Sequence, residues 1–212
     1  MKAHDDIFDP HEALARLRAG NARFVSGARA GDDMASPARR SEVTAEQKPF
    51  AIILGCSDSR VPAEIVFDQG LGDLFVIRVA GNVVAPSQIG SVEFAAEVFG
   101  TRLVVVLGHS RCGAVTATLD ELKNQSRHPS RNLRSIVDRV RPAVEPLLEA
   151  TPDADRETLV QHAVRANVRA AANQLRHGSE VLEQLVNDDG LLIVGADYSL
   201  DSGEVEFFEG VS

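Results

Sequence analysis

The 212-residue chain contains no tryptophan, one tyrosine, two methionines and two cysteines. Two cysteines are too few for a disulfide framework, so in a reducing cytosol Cys56 and Cys112 are either free thiols or metal ligands. No apolar run approaches the ~18 residues of a membrane span. The opening MKAHDDIFDPHEA carries acids where a secretory signal has a basic region and an apolar core. A cytoplasmic location is therefore expected. Basic charge is also short, with 22 Lys and Arg against 31 Asp and Glu, a net charge of −9. That is the wrong sign for a protein that wraps nucleic acid or lies on an anionic membrane, and neither is expected as a partner.

What is present is globular: 44% of residues are hydrophobic and 25% charged, which excludes a disordered tail, a collagen-like chain and a low-complexity scaffold. The length suits one domain over 1–212, with 1–48 as an N-terminal helix and arm. Leu14, Leu17 and Phe24 recur at helical spacing between Pro10 and Val25, with Asp9 as N-cap and Pro10 at the first helical position. Residues 26–48 are small, charged and aperiodic, and are expected to form an arm that reaches another subunit or the chain's own surface. The helix and arm have no evident role in a five-stranded domain, so they are expected to clasp a second copy in a two-fold dimer.

The unbroken apolar runs at 50–55, 74–79, 103–107 and 191–194 predict strands covered on both faces. Helices are expected over 91–99, 113–122, 131–150 and 156–177, the last two broken by Pro142, Pro146 and Pro152 and the final one capped at Gly178. Residues 123–130 are irregular. A last strand at 205–208 forms a terminal hairpin with the fourth and is expected to be antiparallel. The fold class is thus α/β, a mostly parallel five-stranded sheet flanked by helices. Such sheets bind ligands beyond the carboxyl ends of their strands. Cys56 follows the first strand, and His109 and Cys112 follow the third. For one metal to join them those strands must be neighbours, which requires an order beginning 2-1-3.

Two motifs carry the chemistry, Cys56-Ser57-Asp58-Ser59-Arg60 and Gly108-His109-Ser110-Arg111-Cys112-Gly113. Two thiolates and an imidazole suit zinc, and a His-x-x-Cys turn after a strand directs both side chains at one point. Three protein ligands leave one position open, the mark of a catalytic rather than a structural site. Either motif alone is weak, because two cysteines at strand ends are often buried packing. Their combination is what counts, together with the fact that both cysteines are used and that only His109 among six histidines ends a buried strand. His4, His11, His128, His162 and His177 lie in helical or loop contexts.

CSDSR, DLFVIRVAGN, SVEFAAEV, VVVLGHSRCGAV and GADYSLDSGEV, in that order, resemble the β-class carbonic anhydrases over residues 47–208. The resemblance implies a sheet ordered 2-1-3-4 with strand 5 at the edge, and reversible hydration of carbon dioxide to bicarbonate and a proton. It implies one zinc per chain on Cys56, His109 and Cys112, with attack by zinc-bound hydroxide. It further implies that Asp58 and Arg60 form the catalytic dyad, with Asp58 as a fourth zinc ligand in a closed form. Gln47, Phe75 and Gly113 are implied as substrate contacts, Gln47 from a partner subunit, because the family's sites lie at dimer interfaces and tetramers are common. Two positions depart from the pattern: Phe94 stands where tyrosine is frequent, and Val79 where asparagine is. Some members hold inhibitory bicarbonate on Trp, Arg and Tyr. Arg78 and Tyr198 match, but Ile53 occupies the Trp position, so no such pocket is expected.

Three other readings remain open on the residues alone. They are a hydrolase of carbon disulfide or carbonyl sulfide with the same zinc set, a zinc protein without turnover, and a thiol hydrolase using Cys56 and His109.

Overall fold

The computed structural model describes residues 7–28, 31–124, 130–151 and 153–211. Helix α1 (Pro10–Ser26) begins as its cap residues dictate: the Asp9 carboxylate accepts from the amides of His11 and Glu12, and Gly27 closes the helix at φ 73°. After a 3₁₀ turn at Asp32–Ala35 comes α2 (Pro37–Glu42), then β1 (Ala51–Gly55), α3 (Ala63–Val66), β2 (Leu74–Arg78) and α4 (Pro86–Val98). Strand β3 (Leu103–His109) is followed by four helices, α5 (Gly113–Asn124), α6 (Arg131–Ala150), α7 (Arg156–His177) and α8 (Glu180–Asp188). A hairpin of β4 (Leu192–Tyr198) and β5 (Val205–Glu209) ends the described chain. The sheet order is β2-β1-β3-β4-β5, parallel except for the β4–β5 pair, as expected.

Alternation along the strands is hidden in the sequence because both faces are covered. Ile52, Leu54, Val104, Val106 and Ile193 face α4, α7 and α8, while Ala51, Ile53, Leu103, Val105 and Val194 face α1 and α3. A third apolar cluster sits past the carboxyl ends of the strands, where α5, α6 and α7 pack Val115, Leu119, Val140, Val144 and Leu159 around Cys56 and Cys112. Cys56 and Cys112 are therefore buried, while Ser57, Ser59, Arg60 and Arg111 beside them reach solvent.

Several expectations are refined, and those on the start of the fourth helix and on Pro142 and Pro146 are corrected. The apolar stripe of α1 is buried on its own sheet, Ala13 and Leu17 completely, so a second copy is not needed to cover it. Asn21 fastens α1 further, donating to the carbonyls of Val66 and Gly203 and accepting from the Val205 amide. The arm lies on the chain's own surface: Arg39 binds the Leu71 carbonyl and Asp73, and the Leu71 amide bonds the Met34 carbonyl. Helix α4 starts at Pro86, five residues before the expected Ser91, because proline at the first helical position has a preset φ and needs no acceptor. Strand β4 runs on past Val194 to Tyr198, since its register with β3 carries Gly195 and Ala196 without side-chain pattern. Helix α6 is continuous through Pro142 and Pro146, both exposed, while Val137, Val140 and Val144 hold its other face in the core. Helices α2, α3 and α8 are additional to the expected set. Pro152, His4, His128 and most of the expected irregular segment, 125–129, lie outside the described residues.

Candidate metal centre

Neighbouring strands β1 and β3 deliver Cys56 and His109 side by side. The turn after His109 then brings Cys112 back, with Arg111 at φ 56°, in the left-handed region that side chains seldom occupy. That turn is held by the end of β4 and the loop after it: the Ser110 amide donates to the Tyr198 carbonyl, Ser110 Oγ accepts from the Leu200 amide, and Arg111 pairs with Asp201. Arg78, at the end of β2, holds the other motif by donating to the carbonyls of Cys56 (3.0 Å) and Asp58 (2.6 Å). Its guanidinium is thus engaged by backbone.

The donor atoms of Cys56, His109 and Cys112 all lie within 4.8 Å of one another, and the three residues are buried. Among the described residues no other group of His, Cys, Asp and Glu is so placed. The two sulfurs are 4.0 Å apart. A hydrogen bond from Cys112 draws the Cys56 thiol down to about 4 against its burial, helped by His109 and by the Gly81 amide. The same contact with Cys56, together with burial, pushes the Cys112 thiol up. His109 faces Ser110 O with Nδ1 at 2.9 Å, which assigns the proton to Nδ1 and leaves the Nε2 lone pair free. That Nε2 is buried with no hydrogen-bond partner. Burial pulls His109 down, but Cys56 and Asp58 outweigh it and its net shift is upward. A buried thiolate, a second thiol and an orphaned imidazole nitrogen at this spacing fit a divalent cation, which satisfies all three at once.

Asp58 and Arg60 meet beside this cluster. Asp58 Oδ2 is 3.9 Å from His109 Nε2, and both its oxygens accept from Arg60. The hydrogen bonds from Arg60 hold the Asp58 carboxyl well below the usual carboxylate range, although burial opposes them.

The substrate contacts implied by resemblance are spread more widely. Gly113 directly follows Cys112 at the start of α5. Gln47 is exposed ahead of β1, and Phe75 pairs with Ile52 near the amino end of β2, about 10 Å along the strand from its carboxyl end. Within one chain these two are not gathered with the cluster; Phe75 instead packs against Phe94 and Phe99, with ring centroids 6.3 and 6.0 Å away. A cavity of about 1080 Å³ opens beside the His109 turn, lined by Ser110, Arg111, Gly113, Arg165, Asp197 and Glu206 among others, but by none of the three metal-site residues.

Sequence reasoning missed Asp197, whose carboxyl is raised to about 6 by burial and whose Oδ1 has no partner. It also missed the Gly81 amide, which donates to Cys56 Sγ at 3.3 Å, and Asn167, buried on α7. For Asn167 a signal existed: an asparagine on the face that also carries Ala163, Val164 and Ala171 needs a partner.

Residues 51–205 match the family model described as carbonic anhydrase. The chain belongs to the β-class carbonic anhydrase family. It is 41% identical over 195 residues to carbonic anhydrase 2 of Mycobacterium tuberculosis (strain CDC 1551 / Oshkosh), covering 92% of this chain and 91% of that one. Over 198 residues it is 41% identical to the carbonic anhydrase of Mycolicibacterium smegmatis, covering 93% of each. Its fold matches the β-carbonic anhydrase CcaA with a TM-score of 0.73 at 26% identity, over 93% of this chain and 96% of that one. The carbonic anhydrase family's general reaction is the hydration of carbon dioxide, so this chain is an enzyme of that kind.

Proposed function

We propose that the chain is a zinc enzyme hydrating carbon dioxide reversibly to bicarbonate and a proton, with one zinc per chain on Cys56, His109 and Cys112. The observation that carries this reading is the buried, partnerless Nε2 of His109 within 4.8 Å of both sulfurs and 3.9 Å from the Asp58 carboxylate. Zinc held there would supply the nucleophile by acidifying its water, and would stabilise the developing charge.

The remaining work falls to the chain. Arg60 grips both Asp58 oxygens, so the carboxylate stays ionised and fixed in orientation. In that state Asp58 accepts a hydrogen bond and turns the nucleophile's lone pair toward the carbon of the substrate. Asp58 is also the carboxylate that would offer a fourth ligand to a zinc held by Cys56, His109 and Cys112, at the expense of its bonds to Arg60. Gly113, next to Cys112, stands at the site's rim, and Gln47 and Phe75 serve the site of a second copy.

Two observations support that sharing. Gln47 and Phe75 lie toward the amino ends of β1 and β2, away from the cluster. On α4, Phe94, whose ring packs against Phe75, and Val98 one turn on are 49% and 59% exposed, an apolar patch that a homodimer or homotetramer would cover. Among the described residues no helix is long and apolar enough to cross a membrane, and reduced cysteines suit a cytoplasmic enzyme.

Stopped-flow carbon dioxide hydration before and after chelation tests the reading. Activity that disappears with zinc and returns on its addition is expected. Zinc-loaded protein that leaves carbon dioxide unhydrated while hydrolysing carbon disulfide or a thioester would contradict it.

A further inference from the structure

Cys56 is held by more than its own strand. The Gly81 amide donates to its sulfur at 3.3 Å, and that amide is fixed in space by an unusual backbone. Gly81 stands at φ 70°, ψ 20°, a conformation other residues adopt only under strain. A Cβ there would also lie 3.0 Å from the Ala114 methyl. The following carbonyl, Gly81 O, accepts from Asn167 Nδ2 at 2.8 Å. Asn167 is 3% exposed on α7 among Ala163, Val164, Val168 and Ala171. An asparagine there lowers helix propensity and buries a carboxamide, which is tolerated where its hydrogen bonds are met.

We infer that Asn167 is a positioning residue for the metal centre: through Gly81 it aims a backbone N–H at the sulfur of Cys56 and so tunes that ligand. The inference rests on the reading of Cys56 as a metal ligand. An N–H bonded to a thiolate withdraws charge from it, which sets the energy of its charge-transfer transitions, and restrains its direction; loss of that restraint is what frees the metal. Partners of this kind govern metal affinity as well as geometry, with typical losses of 10–100-fold when they are removed. The arrangement matters most in a two-thiolate set, where the sulfurs already cancel the charge of a divalent ion.

The test uses metal-loaded full-length protein. In cadmium-113-substituted wild type, the Gly81 amide is expected to show scalar coupling to the metal through the sulfur, a readout that needs no variant. In the cobalt-substituted forms, Asn167→Asp and Asn167→Leu are expected to shift the sulfur-to-cobalt charge-transfer band to lower energy. Both variants are expected to release zinc to a chelator at least about 10-fold faster. Leu175→Ala, a core truncation on the same helix, should lower stability without moving the band. Wild type that takes up metal but shows no Gly81 coupling, or Asn167 variants whose band and zinc release match wild type or track only the loss of stability, would overturn the inference. Wild type that takes up no metal on Cys56 would overturn both this and the zinc reading.

Discussion

Arg60 holds Asp58 with two parallel hydrogen bonds, Nε to Oδ1 at 2.9 Å and a terminal nitrogen to Oδ2 at 2.7 Å, across only two residues of chain. Arg60 is half exposed, so the pair contributes little to stability. Its consequence is orientation: a carboxylate gripped at both oxygens points one way, 3.9 Å from His109 Nε2. Asp58→Ala is expected to lower kcat by about 10²-fold or more with zinc content unchanged, read by stopped-flow hydration and metal analysis together. Arg60→Lys should fail to restore the wild-type rate, because an ammonium cannot form the fork.

The Arg60 hydrogen bonds hold the Asp58 carboxyl well below the usual carboxylate range, far from neutrality. The acid limb of activity therefore does not belong to it. Two thiolates cancel the charge of a divalent ion and weaken the acidity it confers relative to a three-histidine site. Activity is expected to keep rising above pH 7 in a rate profile; a profile already flat and maximal below neutrality would contradict this.

Asp197 sets a pH dependence of stability. Burial raises its carboxyl from 3.8 to about 6, so ionising it costs more in the folded chain than in the unfolded one. The penalty is absent below about pH 4 and fully present above about pH 6. Asp197→Asn should stabilise the protein by on the order of 2 kcal/mol at pH 7–8 and by nothing at pH 4, measured by urea unfolding.

Gly108 ties the fold to the site. A Cβ there would meet Val168 Cγ2 at 2.6 Å and Val164 Cγ1 at 3.0 Å, forcing β3 from α7 one residue before His109. Gly108→Ala is expected to cost about 1–3 kcal/mol in thermal or urea unfolding and to weaken zinc retention.

A shared site makes subunit mixing informative. Phe75→Ala and Cys56→Ser homo-oligomers should each be impaired. Hybrids of the two should regain activity, since one site per pair is then intact in both contributions. Hybrids no more active than the average of their parents would place Phe75 in its own chain's core only.

Much of this was legible because it is local. Unbroken apolar runs ending in Gly55-Cys56 and Gly108-His109 mark buried parallel strands whose tips carry the candidate ligands, and the need to join them implied that β1 and β3 are neighbours, as they are. The rest depends on tertiary contact. The stripe of α1 reads the same whether a sheet of its own or of a partner covers it. Pro142 and Pro146 read as breaks until their exposed side of α6 is known. The hold of Asn167 on Gly81 spans 86 residues, and no spacing rule reports it.

The most direct test of the central claim is X-ray absorption at the zinc edge on natively purified protein, with metal quantified per chain. The expected result is one zinc per chain with two sulfurs at about 2.3 Å and an imidazole nitrogen at about 2.0–2.1 Å. Protein without zinc, a sulfur-free coordination shell, or a disulfide between Cys56 and Cys112 would contradict it.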